Sequence, residues 1–140
     1  MQAVENCIFC AIVSGDATAE VVDSDDCTVA FMDINPATRG HALVVPRTHS
    51  ENLFDIAEED LHAAVSAARR LAGRMRETIK PDGINILNST GRAAWQSVFH
   101  FHLHVIPRYN DDPLQLPWRP GPVDPSELAE VATALRGAER

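Results

Sequence analysis

Half of the six histidines in this 140-residue chain fall at alternate positions within five residues: His100, His102 and His104. They lie in the run Val98-Phe99-His100-Phe101-His102-Leu103-His104-Val105-Ile106-Pro107, where every gap holds a bulky apolar residue. Neutral imidazole, with a pKa near 6.5, can attack as a nucleophile at pH 7, leave again when protonated, or bind a metal. A period of two predicts a β-strand over 98–107, with Phe99, Phe101, Leu103 and Val105 in the core and the three rings in a row on the other face. A helix would scatter those rings over about 200° of its circumference. Three uses compete. A packed strand whose histidines merely alternate would leave costly polar rings to satisfy. A metal held by the triad alone is strained, because the outer rings stand ~13 Å apart. The third makes the middle ring a nucleophile, which at phosphorus gives a phosphoramidate that water can cleave.

Other residues carry chemistry of their own. Cys7-x-x-Cys10 sets two sulfurs one helical turn apart. Buried packing, a redox pair and half of a zinc site that needs two further ligands all remain open on spacing alone. Asp33, at a strand exit, suits either a sugar diol or a turn. The small polar loop Ser89–Ser97 can cradle a phosphate or simply connect, and it carries no Gly-x-x-x-x-Gly-Lys pattern. His49 in the loop Arg47-Thr48-His49-Ser50 reads as solvated unless another group needs it.

The elements that position these groups follow from pattern. Asn6 can cap a short helix over 7–13, ended by Ser14-Gly15. Strands are predicted at 21–23, 28–32, 41–46 and 84–88, with Cys27 expected in the core and 41–46 buried on both faces. A long helix starts near the acids of 58–60, carries the stripe Leu61, Val65, Ala68, Ala72, Met75 and Ile79, and stops at Pro81. After Tyr109 four prolines between 113 and 122 predict irregular chain, then a short helix over 125–135 capped by Asp124. The expected architecture is α+β: an antiparallel sheet of about five strands, one long helix and short helices at both ends. The first domain is expected at 1–110, with 111–140 a tail packed on it or on a second copy.

Composition narrows the partners. A net charge of −8 disfavours a broad nucleic-acid or acidic-membrane surface, so an anionic substrate needs locally placed donors. No run approaches the ~18 apolar residues of a membrane span. Three cysteines and no leader pattern over residues 1–6 lead us to expect a reducing, cytoplasmic setting without a disulfide framework.

His100-Phe101-His102-Leu103-His104-Val105-Ile106 resembles the His-φ-His-φ-His-φ-φ signature of the histidine triad (HIT) superfamily of nucleotide hydrolases and transferases. The likeness extends to Asp33-Ile34-Asn35-Pro36, Gly40-His41-Ala42-Leu43-Val44-Val45-Pro46, Asn88 and Gln96-Ser97-Val98, from about Cys7 to Tyr109. It is similar to the small bacterial members related to the purine-nucleotide phosphoramidase branch.

The resemblance implies that His102 attacks an α-phosphorus and forms a nucleotidyl-histidine, while His104 binds the phosphate oxygens. It implies that Asp33 holds the ribose hydroxyls, that Phe31 and Ile34 lie against the base, and that Asn88, Gln96 and Ser97 supply donors around phosphate or leaving group. Ser97 is also carried over as catalytic, and His41 as the upstream histidine that supports the triad. In zinc-carrying members two N-terminal cysteines, the histidine after Val-Pro-x-x and the first triad histidine hold a structural zinc; here these are Cys7, Cys10, His49 and His100. A closed S2N2 set leaves no open position, and no catalytic metal is required. A homodimer is also implied. The chain departs from the pattern at Trp95, where many relatives have Gly. The expected reaction is hydrolysis of nucleoside phosphoramidates or related nucleotidyl conjugates. The alternatives are a dinucleoside polyphosphate hydrolase or phosphorylase, and a nucleotide- or partner-binding module with little turnover.

Overall fold

The computed structural model describes residues 4–138. Met1, Gln2 and Ala3, which begin the stretch read for a leader, lie outside it, as do Glu139 and Arg140. Element order is α1 (Ile8–Ser14), β1 (Val21–Ser24), β2 (Thr28–Met32), β3 (Ala42–Pro46), α2 (Glu58–Thr78), β4 (Gly83–Leu87), β5 (Leu103–Arg108) and α3 (Pro125–Gly137), with a 3-10 turn at Arg92–Ala94. The five strands form one antiparallel sheet in the order β1-β2-β3-β5-β4.

Strand alternation divides the apolar residues between two layers. Ala30, Ala42, Val44, Leu103 and Val105 face α2, with Phe101, against Ala64, Ala67, Ala68, Leu71 and Met75. Val29, Phe31, Leu43 and Val45 face the other way and meet Phe9 of α1. β3 is therefore covered on both faces, as its apolar run predicts. α2 begins with Glu58, Glu59 and Asp60 at the positive end of its dipole and ends before Lys80 and Pro81.

Five expectations need correction. The ladder of β5 begins at Leu103, not Val98, because its last pair with β3 is Val44 with Leu103. Upstream of it Phe101 N–H donates to Ser50 O, and the carbonyl of Pro46 meets the His100 ring instead of a strand amide. Phe99 is only half-buried, with the Arg92 guanidinium 4.8 Å above its ring. On α2 the buried face turns onto alanines 64, 67 and 68, leaving Val65 52% exposed; small side chains let the helix lie close to the sheet. Cys27 is exposed, its N–H held by the Asp25 carboxylate in the β1–β2 turn. The cap of α1 is Cys7, whose sulfur accepts from Cys10 N–H, and Asn6 sits at φ 66.

The link between β2 and β3 is clamped where it matters. Thr38 donates to Pro107 O, and Tyr109 donates to Arg39 O. Gly40 adopts φ 93, and a Cβ there would run into Ile79 and the Pro107 ring. These contacts deliver His41 to the mouth of β3, opposite β5.

Candidate active site and metal centre

The triad histidines share one architectural device. Each ring has one nitrogen committed to a fixed partner, which leaves the other for chemistry. His102 Nδ1 lies 2.8 Å from the carbonyl oxygen of His100. A carbonyl only accepts, so the proton is on Nδ1 and Nε2 keeps its lone pair. Burial pushes the His102 pKa down, which keeps the ring neutral. Phe9 meets it edge-on, with centroids 5.1 Å apart, and Asn88 donates to its carbonyl oxygen.

His104 is set the opposite way. Ala37 N–H donates to His41 Nδ1 at 2.9 Å, so His41 carries its proton on Nε2. That Nε2 stands 2.9 Å from His104 Nδ1 and 3.5 Å from Asp33 Oδ2, and the shorter partner takes the proton. His104 Nδ1 is thus an acceptor, and its proton is on Nε2. Burial, with His102 and His41 beside it, pushes its pKa down to about 4, and burial lowers that of His41 despite nearby Asp33. Asp33 Oδ1 accepts from Asn35 N–H in a turn, so the turn reading of this residue holds alongside any ligand role.

A cleft of about 370 Å³ opens beside these rings. Ile8, Phe9 and Ile12 of α1, with Phe31, Leu43 and Val98, form its apolar end, and Asp33, Asn35, Ser97, His102 and His104 its polar end. Ile34 stands at its lip, 89% exposed. None of the residues lining it is Lys or Arg. Anion recognition here therefore relies on neutral ring and hydroxyl donors.

Asn88, Gln96 and His41 do not line the cleft. Gln96 is 4% exposed, and its amide is fully engaged: Oε1 with Gly91 N–H, and Nε2 with Glu51 O and Val98 O. Asn88 accepts from Thr90 as well as donating to His102 O. Both hold the walls of the site. Sequence pattern alone does not reveal the α1 wall or Leu43. One signal is available for α1: if Cys7 and Cys10 share a centre with His100, the residues between them must lie beside the triad.

The second cluster joins Cys7, Cys10, His49 and His100, whose ligand atoms all fall within 4.8 Å of one another. His100 Nδ1 lies 3.5 Å from both sulfurs, and His49 Nδ1 lies 3.3 Å from Cys10 Sγ. Tetrahedral zinc, with Zn–S near 2.3 Å and Zn–N near 2.05 Å, sets adjacent S and N ligands about 3.5 Å apart. The other nitrogen of His100 meets Pro46 O at 2.8 Å, which fixes Nδ1 as the lone pair. Burial pushes the Cys10 thiol pKa up, and a bound cation would reverse that. The donor set therefore fits zinc. A third group, Asp33, His41 and His104, also converges. A metal on His41 Nε2 would need the ring proton on Nδ1, where the Ala37 N–H already points. That group is a hydrogen-bonded relay, not a metal site.

Comparisons with known proteins bear on the family and the fold. A family model described as "HIT domain" matches residues 14–111. The crystal structure of a member of the HIT family from Bacillus subtilis is 37% identical with a TM-score of 0.90, covering 97% of this chain and 99% of that one. A Zn-bound histidine triad family protein from Mycobacterium smegmatis is 42% identical with a TM-score of 0.76, covering 92% and 97%. A histidine triad nucleotide-binding protein from Candida albicans is 28% identical with a TM-score of 0.84, covering 94% and 95%.

Proposed function

The chain belongs to the HIT family, and from that premise we propose that it hydrolyses nucleoside phosphoramidates or related nucleotidyl conjugates at the α-phosphorus. The observation that carries this reading is the His102 Nδ1 to His100 carbonyl hydrogen bond, which leaves the Nε2 lone pair on a ring lining the cleft.

In the first step His102 Nε2 attacks phosphorus, and the bond to the leaving amine breaks as the P–Nε2 bond forms. The ring becomes an imidazolium, which the His100 carbonyl stabilises through Nδ1–H. His104 Nε2–H donates to a non-bridging oxygen as charge grows there, its direction set by His41. Ser97, exposed at the rim, offers its hydroxyl to the departing group. Water then attacks phosphorus, one of its protons passing to the freed amine, and the P–Nε2 bond breaks to release the nucleotide and the neutral ring. Asp33 accepts from the ribose hydroxyls, with Phe31 and Ile34 against a purine base. Asn88 and Gln96 act through the positions they hold.

Cys7, Cys10, His49 and His100 would hold a zinc ion whose chemistry is structural, tying α1 to the approach of β5. The reaction asks nothing of a catalytic metal. The protein acts as a cytoplasmic homodimer, without nucleic acid or membrane. The exposed Ile86 and Leu87 on edge strand β4, and the described part of the tail, 111–138, whose α3 buries none of its residues, supply surfaces for the second copy. No helix among the described residues is long and apolar enough to cross a membrane.

The test is to incubate the protein with adenosine phosphoramidate and with diadenosine polyphosphates, beside His102→Ala. The expected result is AMP release from the phosphoramidate, lost by roughly 10³-fold or more in the variant. Preferred cleavage of the polyphosphates would move the reading to a dinucleoside polyphosphate hydrolase or phosphorylase. AMP binding without turnover of any substrate would leave a nucleotide- or partner-binding module.

A further inference from the structure

The four candidate zinc ligands do not line the reactive cleft themselves, but each adjoins or hydrogen-bonds residues that shape it. Cys7 and Cys10 bracket Phe9, whose ring meets His102 edge-on and Phe31 at 5.4 Å. Ile8 and Ile12 of the same helix line the cleft. His100 lends its carbonyl to His102. His49 is followed by Ser50, whose carbonyl accepts from Phe101, and by Glu51, whose carbonyl accepts from Gln96 beside Ser97. α1 itself is seven residues long; Phe9 and Cys10 are its buried residues and Ile12 and Val13 pack partly against the same cluster, so the cysteines supply a large share of its seat.

The sulfurs are within reach of small solutes. Cys7 is half-buried and borders two clefts, of about 590 and 370 Å³, the second shared with His49 and Ser97. The two Sγ atoms lie within 4.8 Å of each other. His100 is wholly buried, and among the described residues its Nδ1 has only these sulfurs as hydrogen-bond partners. A disulfide offers it neither a proton nor a metal. The ring would then be left with an unpaired buried nitrogen, and relief by turning breaks its hydrogen bond to Pro46 O, which loosens the segment whose carbonyl orients His102.

We propose that Cys7 and Cys10 are a redox modification site that governs the alignment of His102: a hydroperoxide converts the zinc-bound dithiolate to a disulfide, Zn2+ leaves, and α1 and His100 disengage from the cleft. The Cys7 thiolate attacks the terminal peroxide oxygen and breaks the O–O bond, giving a sulfenic acid and, with one proton, an alcohol or water. The Cys10 thiolate then attacks the Cys7 sulfur, and the S–O bond breaks to release hydroxide, which a second proton converts to water. The two sulfurs lose two electrons, the peroxide gains them, and zinc keeps its charge. A dithiol reductant and Zn2+ restore the site. The loss of nucleotide affinity that follows rests on the proposed function; the chemistry at sulfur does not.

The test uses the zinc-loaded full chain with Cys27→Ser, which removes the third, exposed thiol, titrated with hydrogen peroxide. Zinc release is read with a chromogenic chelator, the disulfide by mass spectrometry after alkylation, and AMP binding by calorimetry. Carbethoxylation of His102 by diethyl pyrocarbonate reads the ring without nucleotide. The expected result is one zinc released per Cys7–Cys10 disulfide, with AMP Kd rising about tenfold or more and His102 reactivity shifting about fivefold, all reversed by dithiothreitol with zinc. Cys7→His keeps four ligands but cannot form the disulfide, and should hold zinc and His102 reactivity through the same treatment; if it does not fold, the Cys27→Ser titration decides alone. The proposal is overturned if zinc and both thiols survive peroxide that oxidises Cys27 in the unsubstituted chain. It is equally overturned if zinc leaves while His102 reactivity stays within about twofold. Should AMP fail to bind the reduced, zinc-loaded protein, the nucleotide reading falls, and the shift in His102 reactivity alone decides whether the switch operates.

Discussion

His41 Nε2 lies 2.9 Å from His104 Nδ1, and because Ala37 N–H occupies the other side of the His41 ring, the proton between them starts on His41. Rings two residues apart on one extended segment therefore have opposite tautomers: His102 is protonated on Nδ1 and His104 on Nε2. One presents a lone pair and the other a donor, the pairing that attack at phosphorus requires. Long-range 1H–15N correlation at pH 7 should show this opposition directly. Two like tautomers would break the assignment of roles.

The same relay makes His41 a positioning residue. Replacing it with Phe removes the donor that sets His104 while keeping a ring of similar size. kcat should fall about 10- to 100-fold, with AMP affinity changed about threefold or less. Steady-state kinetics beside calorimetry separate the two. A loss of affinity with kcat intact would place His41 in substrate binding.

Zinc should be a large part of stability. A structural S2N2 site supplies on the order of 10 kcal/mol of metal-binding free energy, part of it spent in ordering the ligands. Cys10→Ala, or chelation of the wild type, should lower Tm by on the order of 10 °C, and metal analysis should show about one zinc per native chain and none in the variant. An unchanged melting point after chelation would rule out a stabilising metal.

Acid should destabilise the fold through its buried neutral rings. An unfolded histidine takes up its proton near pH 6.5, whereas folded His104 refuses it until about pH 4, and His41 is shifted the same way. Between those limits the unfolded chain binds more protons, so stability rises with pH through this window and is complete above about 6.5. Urea midpoints at pH 7.5 and 4.5 measure the drop. Ligand protonation at the zinc site adds to it in every variant, so the relevant comparison is with His104→Asn, which should show the smaller loss.

Trp95 adopts φ 74 and ψ 21, a left-handed conformation that costs a residue with a Cβ roughly 1–2 kcal/mol. Its indole is 62% exposed and recovers little of that by burial. Trp95→Gly should therefore stabilise the chain by about 0.5–1 kcal/mol, raising Tm by roughly 2 °C, after the greater freedom of an unfolded glycine is allowed for. The indole stands just before Gln96 and Ser97, so KM for bulky leaving groups should fall in the same variant. Thermal melts and a leaving-group series check the two effects together.

Much of this site is legible in the residues themselves. The period of two correctly sends Phe101, Leu103 and Val105 to the core. It errs at Phe99 because alternation describes side-chain direction and is blind to where the neighbouring strand ends. The apolar stripe finds the long helix and most of its buried face, with Ala68 and Met75 in the core and Leu61, Ala72 and Ile79 packed against it, but it misplaces Val65, since valine outweighs alanine in any hydrophobic pattern while Ala64 and Ala67 allow the closer approach. Residue type alone puts Cys27 inside, yet the Asp25 turn holds it outside. The groups that set the tautomers, Ala37 N–H, His100 O and Pro46 O, belong to the backbone, and no residue type announces them.

The separation of the proposed zinc ligands along the chain bears on how the protein comes to exist at all. Cys7 and His100 are 93 residues apart, and Cys10 and His100 are 90. During synthesis α1 emerges first, but the last of the four candidate ligands, His100, appears only after the long helix and four of the five strands have been made. Until then the two cysteines can do no better than hold zinc loosely with His49, or lose it to a competing thiol. Closing so long a loop costs entropy that only late, long-range contacts can offset. The first helix made is thus among the last parts to be fixed, and a nascent chain has no reactive cleft until its carboxyl-terminal half arrives.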